Sequence, residues 1–196
     1  MRKKIYVLIG LVSIMAPCIV SCNNSDTKKE AIQGAISNDS LIKRGAYLVA
    51  ITGCDDCHTP KKMGAMGPEP DMELRLSGYR SDVPLPPVDT NVIKKGWALG
   101  NAELTGWAGP WGASFAANIT SDETGIGSWT EEQFKKALTQ GKWKGMDSNR
   151  TLLPPMPWQG FSNLTDEDVK AIFAFLKSTK PVKNIEPPIR SFADLK

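Results

Sequence analysis

The stretch Gly53–Pro60, GCDDCHTP, contains two of the chain's four cysteines and its only histidine. Two thiols three residues apart, with an imidazole directly after the second, can do one of three things. They can close a disulfide, contribute to a metal site, or attach a haem covalently while the imidazole ligates its iron. A disulfide is the default for a cysteine pair in an oxidising compartment. A redox-active pair needs a helix N-terminus to lower a thiolate pKa, and here the pair follows a helical stretch with no βαβ pattern around it. Structural zinc needs four ligands, and Cys54, Cys57 and His58 supply three. Haem attachment uses all three residues: Cys54 and Cys57 form the thioethers and His58 lies under the iron. With one histidine in the chain, bis-histidine ligation is excluded.

A low-spin carrier needs a second axial ligand, and with no histidine left a methionine thioether is the obvious candidate. Five lie beyond the motif: Met63, Met66, Met72, Met146 and Met156. Met156 sits in PPMPW, where prolines on both sides restrict the chain to extended conformations and keep a ligand in place in both redox states. Met146, beside Gly145 in polar surroundings, is the rival. Thioether sulfur is soft and favours ferrous iron, so His58/Met156 ligation raises the potential relative to two histidines. Asp122 and Glu123 form a carboxylate pair, but they read as a solvated turn because nothing around them suggests a substrate pocket.

Three helical segments are expected to position these residues. The first covers about 40–51, with Leu41, Arg44, Gly45, Leu48 and Ile51 on neighbouring turns and Ser40 as N-cap. The second follows Thr130, with Gln133 completing a capping box and Gly141 ending it; Phe134, Ala137 and Leu138 form its apolar face. The third follows Thr165, carries three acids in its first turn and stops before Pro181; Val169, Ile172, Phe173 and Leu176 form its stripe. Between the first two, residues 59–128 hold 17 Gly or Pro in 70 positions, so little regular structure is expected there. Three short helices and such a stretch bury little apolar area alone, and a large planar cofactor would supply the missing surface. The expected fold class is therefore all-α: three main short helices around a covalent haem, with a long Gly/Pro-rich loop insertion.

The N-terminus reads as a targeting segment: basic MRKK, an apolar run from Ile5 to Val20, then Ser21 and Cys22. That run contains Pro17 and is marginal as a membrane span. IVSC (Ile19–Cys22) resembles a bacterial lipobox, which implies cleavage before Cys22 and lipidation of that residue; an ordinary signal peptide or an uncleaved anchor are the alternatives. Each of them places the domain outside the cytoplasm. Three of the 24 basic residues and none of the 21 acidic ones precede Cys22, so the rest of the chain is formally neutral and a nucleic-acid partner has no electrostatic support. The polar residues 22–39 read as a flexible tether of about 20–25 Å reach. The expected layout is thus a signal peptide over 1–21, a tether over 22–39, a domain over 40–180 and an extended tail over 181–196.

The helix RGAYLVAITG, then CDDCH, the loop LLPPMPW and the helix LTDEDVKAIFAFLKS together resemble class I c-type cytochromes. More narrowly, NITSDETGIGSWTEEQFKKALTQGK and LLPPMPWQGFSNLTDEDVKAIFAFLK are similar to cytochrome subunits of bacterial periplasmic alcohol, aldehyde and gluconate dehydrogenases. Such subunits often carry three haem modules, whereas this sequence has one attachment motif. The resemblance implies one haem c and a Met loop around Met156. It implies that the Pro68 carbonyl in MGPEP accepts the Nδ1–H of His58, and that Asn118 helps shape the propionate edge. It also implies that Gly45 lies where the first and last helices cross against Phe173 or Phe175. The six tryptophans are expected to fill space around the porphyrin, one indole N–H reaching a propionate.

The function implied is not enzymatic. It is transfer of single electrons from a dehydrogenase or quinol-oxidising donor to an oxidase or other respiratory acceptor, by a lipid-anchored protein facing the periplasm. The alternatives are a gas sensor with a displaceable methionine ligand, or a haem peroxidase, for which no distal histidine is left.

Overall fold

The computed structural model describes residues 37–195; the signal segment, Cys22 and most of the tether lie outside them. Helix α1 (Asn38–Ile51) begins earlier than its pattern predicts, because Ser37 rather than Ser40 caps it: the Ser40 N–H donates to the Ser37 hydroxyl at 3.2 Å. The short helix α2 (Cys54–His58) follows at once. Further on come α3 (Thr90–Lys94), α4 (Glu131–Gln140), α5 (Trp158–Phe161) and α6 (Asp166–Lys177). Helix α4 has the Thr130/Gln133 capping box and ends at Gly141 in the left-handed region. Helix α6 is capped by Thr165, whose hydroxyl accepts from the Asp168 N–H.

Helices α1 and α6 cross at Gly45. A Cβ there would overlap the Ala171 carbonyl oxygen and lie 2.7 Å from the Phe175 Cβ, so only glycine permits the approach. Arg44 ties the same crossing from outside, its Nε and Nη2 donating to one Asp168 carboxylate oxygen at 3.0 and 2.9 Å. The main core gathers Leu48 and Val49 of α1, Phe134 and Leu138 of α4, and Val169, Ala171, Ile172 and Leu176 of α6, with Leu76 and Ile126 from the loops. Each fully buried branched side chain here contributes about 1.5–3 kcal/mol.

The all-α expectation is overturned. Among the described residues five strands form two antiparallel sheets, and the fold is mixed α/β. Strands β1 (Lys61–Gly64) and β2 (Gly67–Pro70) make a hairpin, with Met63 opposite Pro68. Strands β3 (Leu99–Gly100), β4 (Gly106–Gly109) and β5 (Gly112–Phe115) make a three-stranded sheet in that order. All five lie within 59–128, the stretch expected to be irregular. The Gly and Pro residues there punctuate hairpins rather than dissolve structure: each tight connection spans two residues and is closed by a positive-φ glycine, Gly67 or Gly112. Pro68 and Pro70 are tolerated because β2 has a neighbour on one side only.

The three-stranded sheet carries a second, smaller core of Ile93, Ala108, Ala113 and Leu195, edged by Leu85, Val88, Leu99, Phe115 and Phe192. The segment after α6 reaches it in extended form. Arg190 pairs with Ala113 through two main-chain hydrogen bonds of 2.9 and 3.1 Å, and a 3-10 turn, Phe192–Leu195, then covers the sheet. On the way, the Asn184 side-chain amide donates to the Ser77 and Tyr79 carbonyls at 2.7 and 2.8 Å, and its oxygen accepts from the Ser81 N–H.

Candidate haem site

Gly53 (φ 70°) breaks α1 from α2 in the left-handed region, so the chain turns and restarts as one short helix. Cys54 and Cys57 are then one helical turn apart and project from one side of it. Both are free thiols, half-buried, and burial pushes both pKa values up, with Asp55 beside Cys54 and Asp56 beside Cys57 adding to the rise. Neither has the lowered pKa of a redox-active pair.

The helix is clamped from below. Burial would raise the Asp55 pKa, but the Arg75 fork (2.9 and 2.7 Å) and the Thr59 hydroxyl (2.8 Å) outweigh it and hold the carboxylate below its usual range. The same Thr59 oxygen accepts from the Leu76 N–H at 3.1 Å. Lys61 donates to the carbonyls of Asp56 and Thr59 at 2.8 and 2.5 Å, covering the end of the helix.

His58 Nδ1 lies 2.7 Å from the Ala117 carbonyl oxygen. A carbonyl can only accept, so Nδ1 carries the proton and Nε2 keeps a free electron pair. Burial pushes the imidazole pKa down and keeps the ring neutral. The acceptor is therefore Ala117 and not Pro68, which sits in the hairpin opposite Met63. What brings Ala117 close is Gly78: its N–H donates to the His58 carbonyl at 2.8 Å, and a Cβ there would collide with the backbone of Ala116 and Ala117. Its φ of +79° admits glycine readily. A main-chain carbonyl has no side-chain signature, so the only trace of this arrangement in the sequence is the isolated glycine of LSGYR.

Asn118 also departs from expectation. It is 3% exposed, and its amide nitrogen faces the Thr124 hydroxyl and the carbonyls of Val182 and Asn184 at 3.1, 2.8 and 3.1 Å. Its oxygen accepts from Thr120 N–H and hydroxyl. With those bonds made it fastens loop 118–124 to the C-terminal segment and has no donor left for a propionate. Asp122 accepts from the Thr124 N–H and hydroxyl at 2.9 and 2.6 Å, holding its own turn.

Of the five methionines, Met63, Met66, Met72 and Met146 are all exposed, Met146 by 49%. Met156 is half-buried and packs against the main core, as Cys54 does. The stretch leading into it is held at two points. The Leu152 N–H donates to the Gly141 carbonyl at 2.7 Å, and the Ser114 hydroxyl of β5 donates to the Pro154 carbonyl at 2.6 Å. The tryptophans divide: Trp129 lies against the main core, Trp107 and Trp111 spend their N–H groups on Leu104 and Ser114, and Trp97 is exposed.

Two free thiols on one helical turn, a neutral imidazole with Nε2 unprotonated, and a half-buried thioether on the same core are a donor set that fits a covalent haem. The cytochrome c family model matches residues 42–180, and the chain belongs to that family, whose members carry covalently bound haem c. The gluconate 2-dehydrogenase cytochrome c subunit of Pantoea cypripedii is 31% identical over 148 residues, covering 74% of this chain and 25% of that protein. The cytochrome c subunit of the quinone-dependent alcohol dehydrogenase of Gluconobacter oxydans is 31% identical over 148 residues, 74% of this chain and 23% of that one. The fructose dehydrogenase cytochrome subunit of Gluconobacter japonicus is 32% identical over 148 residues, again 74% of this chain and 23% of that one. The chain thus spans about a quarter of the length of these curated relatives. Among the described residues, no helix is long and apolar enough to cross a membrane, and no group of three or more His, Cys, Asp or Glu could hold a metal ion.

Proposed function

We propose that this protein is a one-electron carrier holding a single haem c, with Cys54 and Cys57 as thioether anchors and His58 and Met156 as axial ligands. The observation that carries this reading is the His58–Ala117 hydrogen bond, which leaves Nε2 free to ligate, together with the burial of Met156 alone among the candidate methionines. The haem supplies a one-electron iron couple. His58 donates its electron pair and is kept from rotating by Ala117; the Asp55–Arg75 clamp keeps both thiols at fixed spacing. Met156, packed on the core with the stretch before it hydrogen-bonded at Leu152 and Pro154, would hold the iron as its second ligand and keep small ligands out. No side chain is asked to move a proton to a substrate.

The relatives' names favour a dehydrogenase as donor, with an oxidase or other respiratory protein as acceptor. Lipidation at Cys22 would hold the domain at a membrane, facing the periplasm. In the competing sensor reading Met156 leaves to admit CO or NO. Ferrous wild-type protein is expected to resist CO at neutral pH. Met156→Ala is expected to bind CO and to lower the midpoint potential, while Met146→Ala changes neither. Rapid, tight CO binding by the wild type would overturn the carrier reading in favour of the sensor.

A further inference from the structure

Thr52 closes α1, one residue before the left-handed Gly53 that restarts the chain as α2. Its main-chain N–H donates to the Leu48 carbonyl at 2.9 Å, and its hydroxyl donates to the same oxygen at 2.8 Å. Leu48 belongs to the main core, so these two bonds fix the Thr52 side chain to a buried turn. A hydroxyl has one hydrogen and two lone pairs. With the hydrogen spent on Leu48, the Thr52 oxygen can only accept from any other neighbour.

That neighbour is Cys54, whose Sγ lies 3.4 Å from the Thr52 hydroxyl oxygen. The hydrogen between them is therefore the thiol's: S–H donates and Thr52 accepts. The contact fixes the rotation of the sulfur and turns its electron pairs away from Thr52. Cys57, half-buried on the same helical turn, has no such partner among the described residues. The two thiols of the motif are thus not equivalent. One is held by the end of α1, and the other is free to rotate.

The difference bears on how a thioether forms. The Cys54 S–H bond breaks and an S–C bond forms to one vinyl carbon. The vinyl double bond becomes single, and the thiol's hydrogen ends on the other vinyl carbon. No electrons are gained or lost. Such a step is fast only when the reacting atoms are held in near-attack geometry. At Cys54 the direction of the sulfur is already set by Thr52, whereas at Cys57 it is not.

We propose that Thr52 is a positioning residue that orients the Cys54 thiol for thioether formation. This rests on the haem reading above.

The test expresses the full chain in a host that attaches haem. The purified protein is alkylated and digested, and mass spectrometry gives the fraction of each cysteine joined to haem. Wild type is expected to be joined at both. Thr52→Val keeps the branched shape and removes the hydroxyl. It is expected to lower Cys54 occupancy several-fold while sparing Cys57, leaving a haem with one intact vinyl group and a red-shifted pyridine haemochrome band. Thr52→Ser is expected to restore Cys54. Wild-type occupancy of Cys54 in Thr52→Val overturns the proposal. An equal fall at both cysteines also overturns it, because a merely weakened end of α1 would act on both. If Thr52→Val yields no haem protein, Thr52→Ser decides: equal occupancy supports the proposal, and a deficit at Cys54 overturns it. A wild type joined at neither cysteine would defeat the haem reading itself, whereas a wild type joined at both with Thr52→Val unchanged defeats only the role of Thr52.

Discussion

Asp55 lies between the two cysteines in sequence, and its ties fix the spacing of their helix. The Arg75 fork is a charge-assisted pair of hydrogen bonds in a half-buried setting, with side-chain exposures of 32% for Arg75 and 26% for Asp55. Because the fold lowers the Asp55 pKa, the pair's stabilisation is fully present above the ordinary carboxylate value of about 3.9 and is lost as pH falls through the lowered one. Discounted for partial exposure, the contribution is about 1 kcal/mol. Asp55→Asn is thus expected to unfold at lower urea concentration than wild type at pH 7, with the gap closing below about pH 4. A gap that stays constant into acid would show that the carboxylate's charge is not what matters. At this scale the sequence was partly legible. Cys54, Cys57 and His58 announce themselves by side-chain type and spacing. The Ala117 carbonyl does not, because its role comes from where the backbone runs.

At the scale of elements, α4 and α6 were legible because caps and apolar periodicity are local. Thr130, Gln133, Gly141 and Thr165 each act within one turn of their own helix. The strands were not. Those of the two hairpins are four residues each, lack a clean alternation, and depend on partners that only the hairpin turns bring together. The α1–α6 crossing gives the sharpest steric prediction. Gly45→Ala forces a methyl group into the Ala171 carbonyl, and the helices must separate. The expected loss is at least about 1–3 kcal/mol, read as a lower urea midpoint with an unchanged far-UV spectrum in the absence of urea. Gly45→Ala at wild-type stability would mean that the helices slide past each other at little cost.

Across the whole molecule, two cores are joined by the segment after α6. Asn184 is its central tie, reaching main-chain groups of Ser77, Tyr79 and Ser81. Asn184→Ala leaves those groups without their partner and is expected to cost about 1–3 kcal/mol, measured by denaturation of the holoprotein. A change under a few tenths would show that water replaces the amide freely. The proposed anchor has its own test: Cys22→Ser should move the protein from the membrane fraction to the soluble one, and retention in the membrane would require another attachment. The layout expected for 1–39 rests on charge and apolar patterning and on the lipobox resemblance of IVSC, and almost all of it lies outside the described residues. The closing role of 181–195 was not, because an extended segment carries no periodic signal and its partners lie far back in the chain.

That closing segment is also the last part of the chain to be synthesised. The thiols of Cys54 and Cys57 are synthesised long before Asn184 and Arg190, which complete the loop around Asn118 and the edge of β5. The ties that hold the attachment helix, from Thr59 and Arg75, all lie upstream of that segment. A chain cut off before Val182 would keep every tie of the attachment helix and lose those that close the loop around Asn118 and the edge of β5.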